Sequence, residues 1–257
     1  MRRTFSDWGL NIIAFAVVIL VNYLATALPI GGQTTGEISD KYPSLFTPAG
    51  FTFSIWGIIY LGLLGFVIYQ ALAAKREDSE MAGISRLFQI SCAFNASWIF
   101  AWHYDLLFIS LILMIGIWVS LILIYKKLNN ARNEFSAGPS LLMRVPFSIY
   151  TGWITVAFIA NLSAVQIGNG WDNLWLDAIT WTQIKLGIAG AAAAIVGLRR
   201  RDIAYLSVIA WAAFGISAKQ SATPEVSGAA GSLCVFAIIL IIYEVYRRIR
   251  KEPLLST

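Results

Sequence analysis

The chain has 257 residues, of which 58% are hydrophobic and only 13% charged, whereas an average soluble domain carries about 25% charged residues. This composition excludes most soluble folds. The net charge of +5 does not indicate a nucleic-acid partner, because the basic residues stand in short clusters between apolar blocks. Two isolated cysteines and one histidine provide neither a disulfide framework nor a metal centre.

Eight apolar blocks follow one another along the chain, several of them about 20 residues long, which is the length that a helix needs to cross the hydrocarbon core. Unpaired backbone groups are costly in lipid, so such blocks must be helical. The predicted fold class is all-α, a polytopic transmembrane helical bundle. The predicted spans are 8–28, 51–74, 87–103, 105–125, 144–167, 174–198, 203–219 and 225–246.

Lysine and arginine are distributed unevenly over the connections between these spans. Sixteen fall on the side of the two termini, only Lys41 and Lys219 fall on the other side, and Lys185 lies inside a span. Cytoplasmic connections are enriched in Lys and Arg, which predicts a multi-pass protein of the cell (inner) membrane with both termini cytoplasmic. The alternative, a secretory signal that ends at Ala25-Thr26-Ala27, is less favoured than a retained first span.

The first outer connection, residues 29–50, is longer and richer in turn residues than the others. It carries Gly31-Gly32, Pro43 and Pro48, and long ordered loops are often lids or binding segments. This connection is therefore a candidate lid or binding segment. His103 and Asp105 stand together at a later outer turn, where we expect a solvated pair.

Three spans each carry an aromatic stripe at helical spacing, and two of these stripes include a carboxamide. If the stripes converge, they line a pocket for a large, planar, mostly apolar ligand. The alternative is that the aromatic residues form interfacial belts and the asparagines bond between helices without a ligand. Periodicity does not separate the two. The stripes consist of Trp56 and Tyr60, of Asn95, Trp98 and Trp102, and of Trp153, Ala157 and Asn161.

The same residues resemble motifs of the TspO/MBR family, the tryptophan-rich sensory proteins related to the mitochondrial translocator protein. The matching motifs are Thr47-Pro48-Ala49-Gly50-Phe51 before Trp56-x-x-x-Tyr60, then Asn95-x-x-Trp98, and then Val145-Pro146 before Trp153-x-x-x-Ala157-x-x-x-Asn161. The resemblance implies a five-helix core over residues 1–167, with three further helices and a basic tail over 168–257. It also implies a porphyrin, haem or similar hydrophobic ligand. The implied pocket residues are Trp56, Tyr60, Asn95, Trp98, Trp153, Ala157 and Asn161, with Pro48 and Phe51 in the lid.

The last three spans carry one charged residue at predicted mid-membrane depth, Lys185, with Asp177 two turns before it. A lysine at that depth is costly unless it is paired or hydrated, so it is either a proton, ion or anionic-substrate site or a structural pair. Small-residue faces at Gly187 and Gly190, and at Gly228 and Gly231, are typical of close helix contacts or of a homodimer interface.

Three functional hypotheses remain open from the sequence. The first is a membrane receptor or sensor for a hydrophobic planar ligand, the second a secondary transporter that uses Lys185, and the third a structural membrane subunit. The sequence shows no pairing of a nucleophile with a base and no glycine loop for phosphate. We therefore expect no enzymatic activity.

Overall fold

A computed structural model describes residues 3–28, 30–72, 79–130 and 137–250. Within these ranges the regular structure is helical, in nine α-helices with short 3₁₀ turns at Ile30–Gly32 and Gly50–Ser54. The α-helices are α1 (Phe5–Ala27), α2 (Thr35–Lys41), α3 (Ile55–Ala71), α4 (Ser79–His103), α5 (Leu107–Asn130), α6 (Ala137–Gly168), α7 (Ala178–Arg200), α8 (Ile203–Lys219) and α9 (Pro224–Ile249). The all-α prediction is confirmed.

Eight of these helices correspond to the eight predicted spans, and six of them are long and apolar enough to cross a membrane. Of the other two, α8 has 17 residues, which gives a helix length of about 25 Å at 1.5 Å per residue. Helix α4 begins at Ser79, eight residues before the predicted start at 87, and its first turns are polar. The prediction of a polytopic helical bundle is confirmed.

The chain divides into two compact units. Unit 1 comprises Met1–Lys41 and Trp56–Ile154, and unit 2 comprises Tyr42–Ile55 and Thr155–Thr257. The division passes through α6 and through the first outer connection, so it differs from the division at residue 167 that the family resemblance implies.

Unit 1 holds the start of α1 through a buried polar network. The Arg3 side chain is only 5% exposed, and it donates to Gln70 Oε1 at 2.6 Å and to Ser85 Oγ at 2.8 Å. Asn11 donates to the same two oxygens. The sequence predicts Arg3 as a topology signal, and the structure adds that its guanidinium joins α1 to α3 and α4.

The first part of the outer connection packs on the end of α4, also within unit 1. Trp102 Nε1 donates to the Thr35 carbonyl at 3.2 Å, and Lys41 forms an ion pair with Asp105 at 2.6 Å. His103 is 4% exposed and its Nδ1 lies 2.7 Å from the Ile99 carbonyl oxygen. The expectation of a solvated pair between His103 and Asp105 is therefore wrong, because each has another partner.

In unit 2 the second part of the connection lies on α8. The Ala49 amide donates to the Gly215 carbonyl at 3.0 Å, and Trp211 Nε1 donates to the Thr52 carbonyl at 3.0 Å. The Phe51 ring contacts Trp211, with centroids 5.4 Å apart. These contacts fix residues 49–52 against one face of α8.

Close helix contacts in unit 2 use some of the predicted small residues. A side chain at Gly190 would meet Leu233 of α9, and one at Gly231 would meet Ser217 of α8. A side chain at Gly187 or Gly228 would meet no atom of the described residues within 4 Å. Each small-residue face therefore supplies one helix contact within unit 2 and leaves one glycine open.

Candidate ligand site

The aromatic residues of α3 and α6 meet in unit 1. Trp56 and Tyr60 stack with their centroids 5.3 Å apart, as their i,i+4 spacing predicts. The Trp56 ring also meets Tyr150 at 5.8 Å and Trp153 at 6.3 Å, both edge to face. These four rings form one aromatic cluster, in which Trp153 is buried and Trp56 and Tyr60 are half-buried.

A chain of hydrogen bonds runs from α1 through α4 to this cluster. Asn22 Nδ2 donates to Asn95 Oδ1 at 2.9 Å, and Asn95 Nδ2 donates to the Tyr150 hydroxyl at 3.0 Å. Asn95 is 1% exposed, so both of its polar atoms are satisfied inside the bundle. The sequence motifs include Asn95 but miss Asn22 and Tyr150.

Two phenol hydroxyls of the cluster keep a proton that they can donate. Tyr150 accepts from Asn95, and its own proton has no acceptor among the described residues. The Tyr60 hydroxyl makes no hydrogen bond within those residues. The cluster therefore combines flat apolar walls with two hydrogen-bond donors, which is a composition that suits an apolar ligand with an acceptor group.

Trp98 stacks on Trp102 one turn further along α4, with centroids 5.6 Å apart and planes 17° from parallel. Trp102 in turn bonds to Thr35 of the outer connection. Trp98 thus belongs to the contacts that hold α2 on α4.

The remaining predicted pocket residues lie in unit 2. Ala157 and Asn161 follow Trp153 by one and two turns of α6, and Asn161 is buried. Pro48 and Phe51, the predicted lid residues, lie in the segment that contacts α8. Their part in a ligand site stays a prediction.

The two residues of the predicted ion site lie in different surroundings. Asp177 is exposed and caps α7, because its carboxylate accepts from the Thr180 amide at 2.9 Å. This hydrogen bond lowers the pKa of Asp177. Lys185 is a buried residue within α7. The carboxylate of Asp172 interacts with it electrostatically. Asp177 therefore caps the start of α7 and lies outside the helix that forms the span.

An apolar groove between α1 and α3 was not predicted from the sequence. It has a volume of about 770 Å³. Its lining is formed by Ile12, Phe15, Ala16, Ile19, Leu20, Tyr23, Leu64, Val67, Ile68, Ala71 and Leu72. These residues carry no stripe of aromatic or polar side chains, so the sequence gives no signal that separates them from other lipid-facing positions.

The helices and the cluster together define a multi-pass membrane protein with a buried core of aromatic, phenol and carboxamide groups. The model of the TSPO-like protein family matches residues 8–243, and the chain belongs to this family. The match continues through α7 and α8 into α9, so it includes most of the segment that follows the implied five-helix core. Comparison with curated proteins and with solved structures gave no match.

Proposed function

We propose that the protein is a membrane receptor or sensor that binds a planar hydrophobic ligand, such as a porphyrin or haem, at the aromatic cluster of unit 1. The observation that carries the proposal is the meeting of Trp56, Tyr60, Tyr150 and Trp153 in one place. Membership in the TSPO-like family supports it, because the resemblance of the same motifs implies a ligand of this class.

Each group has a distinct role in this proposal. Trp56 and Trp153 supply flat faces for stacking, and the edge-to-face contact between them opens when a planar ligand enters. Tyr60 and Tyr150 donate to an acceptor on the ligand, such as a carboxylate. Asn95 accepts from Asn22 and donates to Tyr150, so its role in this proposal is to orient the Tyr150 hydroxyl.

The proposal extends to the position of the chain in the cell. The charge distribution over the connections supports a place in the cell (inner) membrane with both termini cytoplasmic. Of the cations that carry this argument, Arg2, Lys75, Arg76, Arg132 and Lys251 lie outside the described residues.

The test is a titration of the purified protein in nanodiscs with protoporphyrin, followed by quenching of tryptophan fluorescence. We expect saturable quenching, and a Trp56→Ala/Trp153→Ala variant that binds roughly tenfold more weakly or worse, since each lost aromatic pair costs about 0.5–1.5 kcal/mol. Trp171→Phe/Trp175→Phe is the matched control, because both residues are exposed in unit 2. Equal affinity of the two double variants would refute the site.

A second measurement tests the role of the phenol groups. Tyr60→Phe/Tyr150→Phe keeps the rings and removes both hydroxyls. We expect it to weaken binding of protoporphyrin, which carries carboxylates, and to leave binding of a porphyrin without acidic side chains unchanged. Equal loss for both porphyrins would show that the hydroxyls act on the fold and not on the ligand.

A further inference from the structure

Lys185 is the starting point, because most of its side chain is buried and its ammonium has no hydrogen-bond or ion-pair partner within the described residues. The residue is 7% exposed, and within the described part of the chain its ammonium makes no hydrogen bond or ion pair. A lysine in an apolar helix costs a few kcal/mol unless something pairs with it or hydrates it. The structure therefore leaves one strong donor at this place unused.

The position of Lys185 along α7 differs from the prediction. Helix α7 begins at Ala178 and ends at Arg200, so Lys185 lies about 10 Å from the helix start and about 22 Å from its end at 1.5 Å per residue. Lys185 therefore lies nearer to the start of the helix than the predicted span 174–198 places it, since the polar cap at Asp177 starts the helix four residues later than the apolar pattern indicates. Lys185 lies near the end of unit 2 where the connection 169–177 joins α6 to α7.

A buried polar atom without a partner lies at the same end of unit 2. Gln166 Oε1, in the last turn of α6, is buried and accepts no hydrogen bond within the described residues. The Trp171 amide bonds to the main-chain carbonyl of Gln166 at 2.7 Å, which holds the connection on α6. Asp172, in this connection, acts on Lys185 through its charge but is not bonded to it.

We infer that this end of unit 2 is a binding site for an anionic oxygen group, a phosphate or carboxylate, that pairs with the Lys185 ammonium. A ligand whose polar head also carries a hydroxyl can donate to Gln166 Oε1. Such a ligand pairs with the Lys185 ammonium and also donates to the buried Gln166 oxygen. A zwitterionic head without a hydroxyl cannot donate to Gln166, and its own cation competes with Lys185 for the phosphate. The site is independent of the aromatic cluster in unit 1.

The surroundings of the site favour a lipid as the source of the anion. The connection 169–177 exposes Trp171 by 45%, Leu174 by 44% and Trp175 by 86%. Tryptophan concentrates at the level of the lipid headgroups, and a lysine about 10 Å below a helix end reaches toward the same level along its flexible stem. Phosphates of lipid headgroups are therefore present at this depth.

The experiment compares the thermal stability of the full-length protein in nanodiscs of two compositions. One contains phosphatidylglycerol, which is anionic and carries hydroxyls, and the other contains only phosphatidylcholine. Wild type is compared with Lys185→Met, which removes the charge and keeps the apolar stem. Lys219→Met is the matched control, since Lys219 is exposed at the same end of unit 2. A third arm adds inorganic phosphate to the phosphatidylcholine discs.

We expect the anionic lipid to raise the Tm of wild type and of Lys219→Met, and to raise that of Lys185→Met by much less. Retention of phosphatidylglycerol in native mass spectra should fall about tenfold or more in Lys185→Met, because a hydrogen bond between charged groups is lost. An equal shift in Lys185→Met and wild type, or no shift in any of them, overturns the inference. A wild-type shift with inorganic phosphate alone supports the anion site and identifies its source as a soluble anion.

Should Lys185→Met fail to fold, Lys185→Arg keeps the positive charge and provides the comparison. This variant should retain phosphatidylglycerol as wild type does. The Gln166→Leu variant should still prefer anionic lipids. It should no longer prefer anionic lipids that carry a hydroxyl over anionic lipids that do not. A Lys185→Arg variant that folds and has no preference for anionic lipid would overturn the inference as well.

Discussion

Replacement of Glu244 by glutamine should cost more stability than any other single charge change in unit 2. Glu244 is fully buried near the end of α9. Its carboxylate accepts from Arg201 Nε at 2.8 Å and from Arg247 at 3.3 Å. Both guanidinium groups are themselves buried, so one carboxylate compensates two cations that have left water.

The magnitude follows from what the substitution leaves behind. Glu244→Gln removes the negative charge and points an amide N–H at a guanidinium, while Arg201 and Arg247 stay buried. Breaking a buried ion pair by removal of one partner costs about 3–5 kcal/mol. For a chain of 257 residues that unfolds as a whole, this corresponds to a decrease in Tm of roughly 6–20 °C.

The assay is thermal unfolding in detergent micelles, followed by intrinsic fluorescence. Glu225→Gln is the matched control, because it makes the same chemical change in the first turn of the same helix at an exposed position. Replacing the whole triad, as Arg201→Met/Glu244→Leu/Arg247→Met, should recover most of the loss, since no unpaired charge remains. Equal Tm values for Glu244→Gln and Glu225→Gln would refute the reasoning.

Two further predictions concern unit 2. Gly215→Ala should destabilise this unit by about 1–3 kcal/mol, because the new methyl group meets the buried Thr52 side chain and overpacking costs that much. The control Gly187→Ala places its methyl group in open space and should leave the Tm unchanged. Equal changes in Tm for the two variants would contradict this prediction. The hydrogen bond from the Thr180 amide lowers the pKa of Asp177. The cap should therefore contribute its full stabilisation above the ordinary pKa of about 3.9, and this stabilisation should be lost as the pH falls through the lowered pKa. Urea unfolding of wild type and Asp177→Ala at several pH values should show a difference that disappears only in strong acid.

The helices could be predicted from the sequence because lipid imposes a simple rule. A span must be apolar over about 20 residues, and the bounds of α8 agree with the prediction residue for residue. The prediction is least accurate where polar residues continue a helix, as at the start of α4, or cap it, as at Asp177 before α7. At Asp177 the hydrogen bond that caps the helix start is invisible to an apolar pattern.

Partners across helices could not be predicted in the same way. Arg3, Arg201 and Arg247 were predicted from their place in the connections as topology signals, and the structure buries all three. Periodicity gives the face on which a residue lies but not the residue opposite. One signal was present: Asn11 and Asn22 are eleven residues apart on α1, so three turns bring them to one face. Both bond to neighbouring helices.

Asn95 shows how the two interpretations of the carboxamides combine. As a bond between helices, it joins α1 to α6 through Asn22 and Tyr150, and this needs no ligand. The same bonds leave the Tyr150 proton without an acceptor within the described residues and hold the phenol against Trp56. The carboxamide therefore supports the proposed site by orienting a donor. For the proposed site we therefore expect the specificity for a ligand to depend on the two phenol groups, whereas Asn95 sets the geometry in which one of them acts.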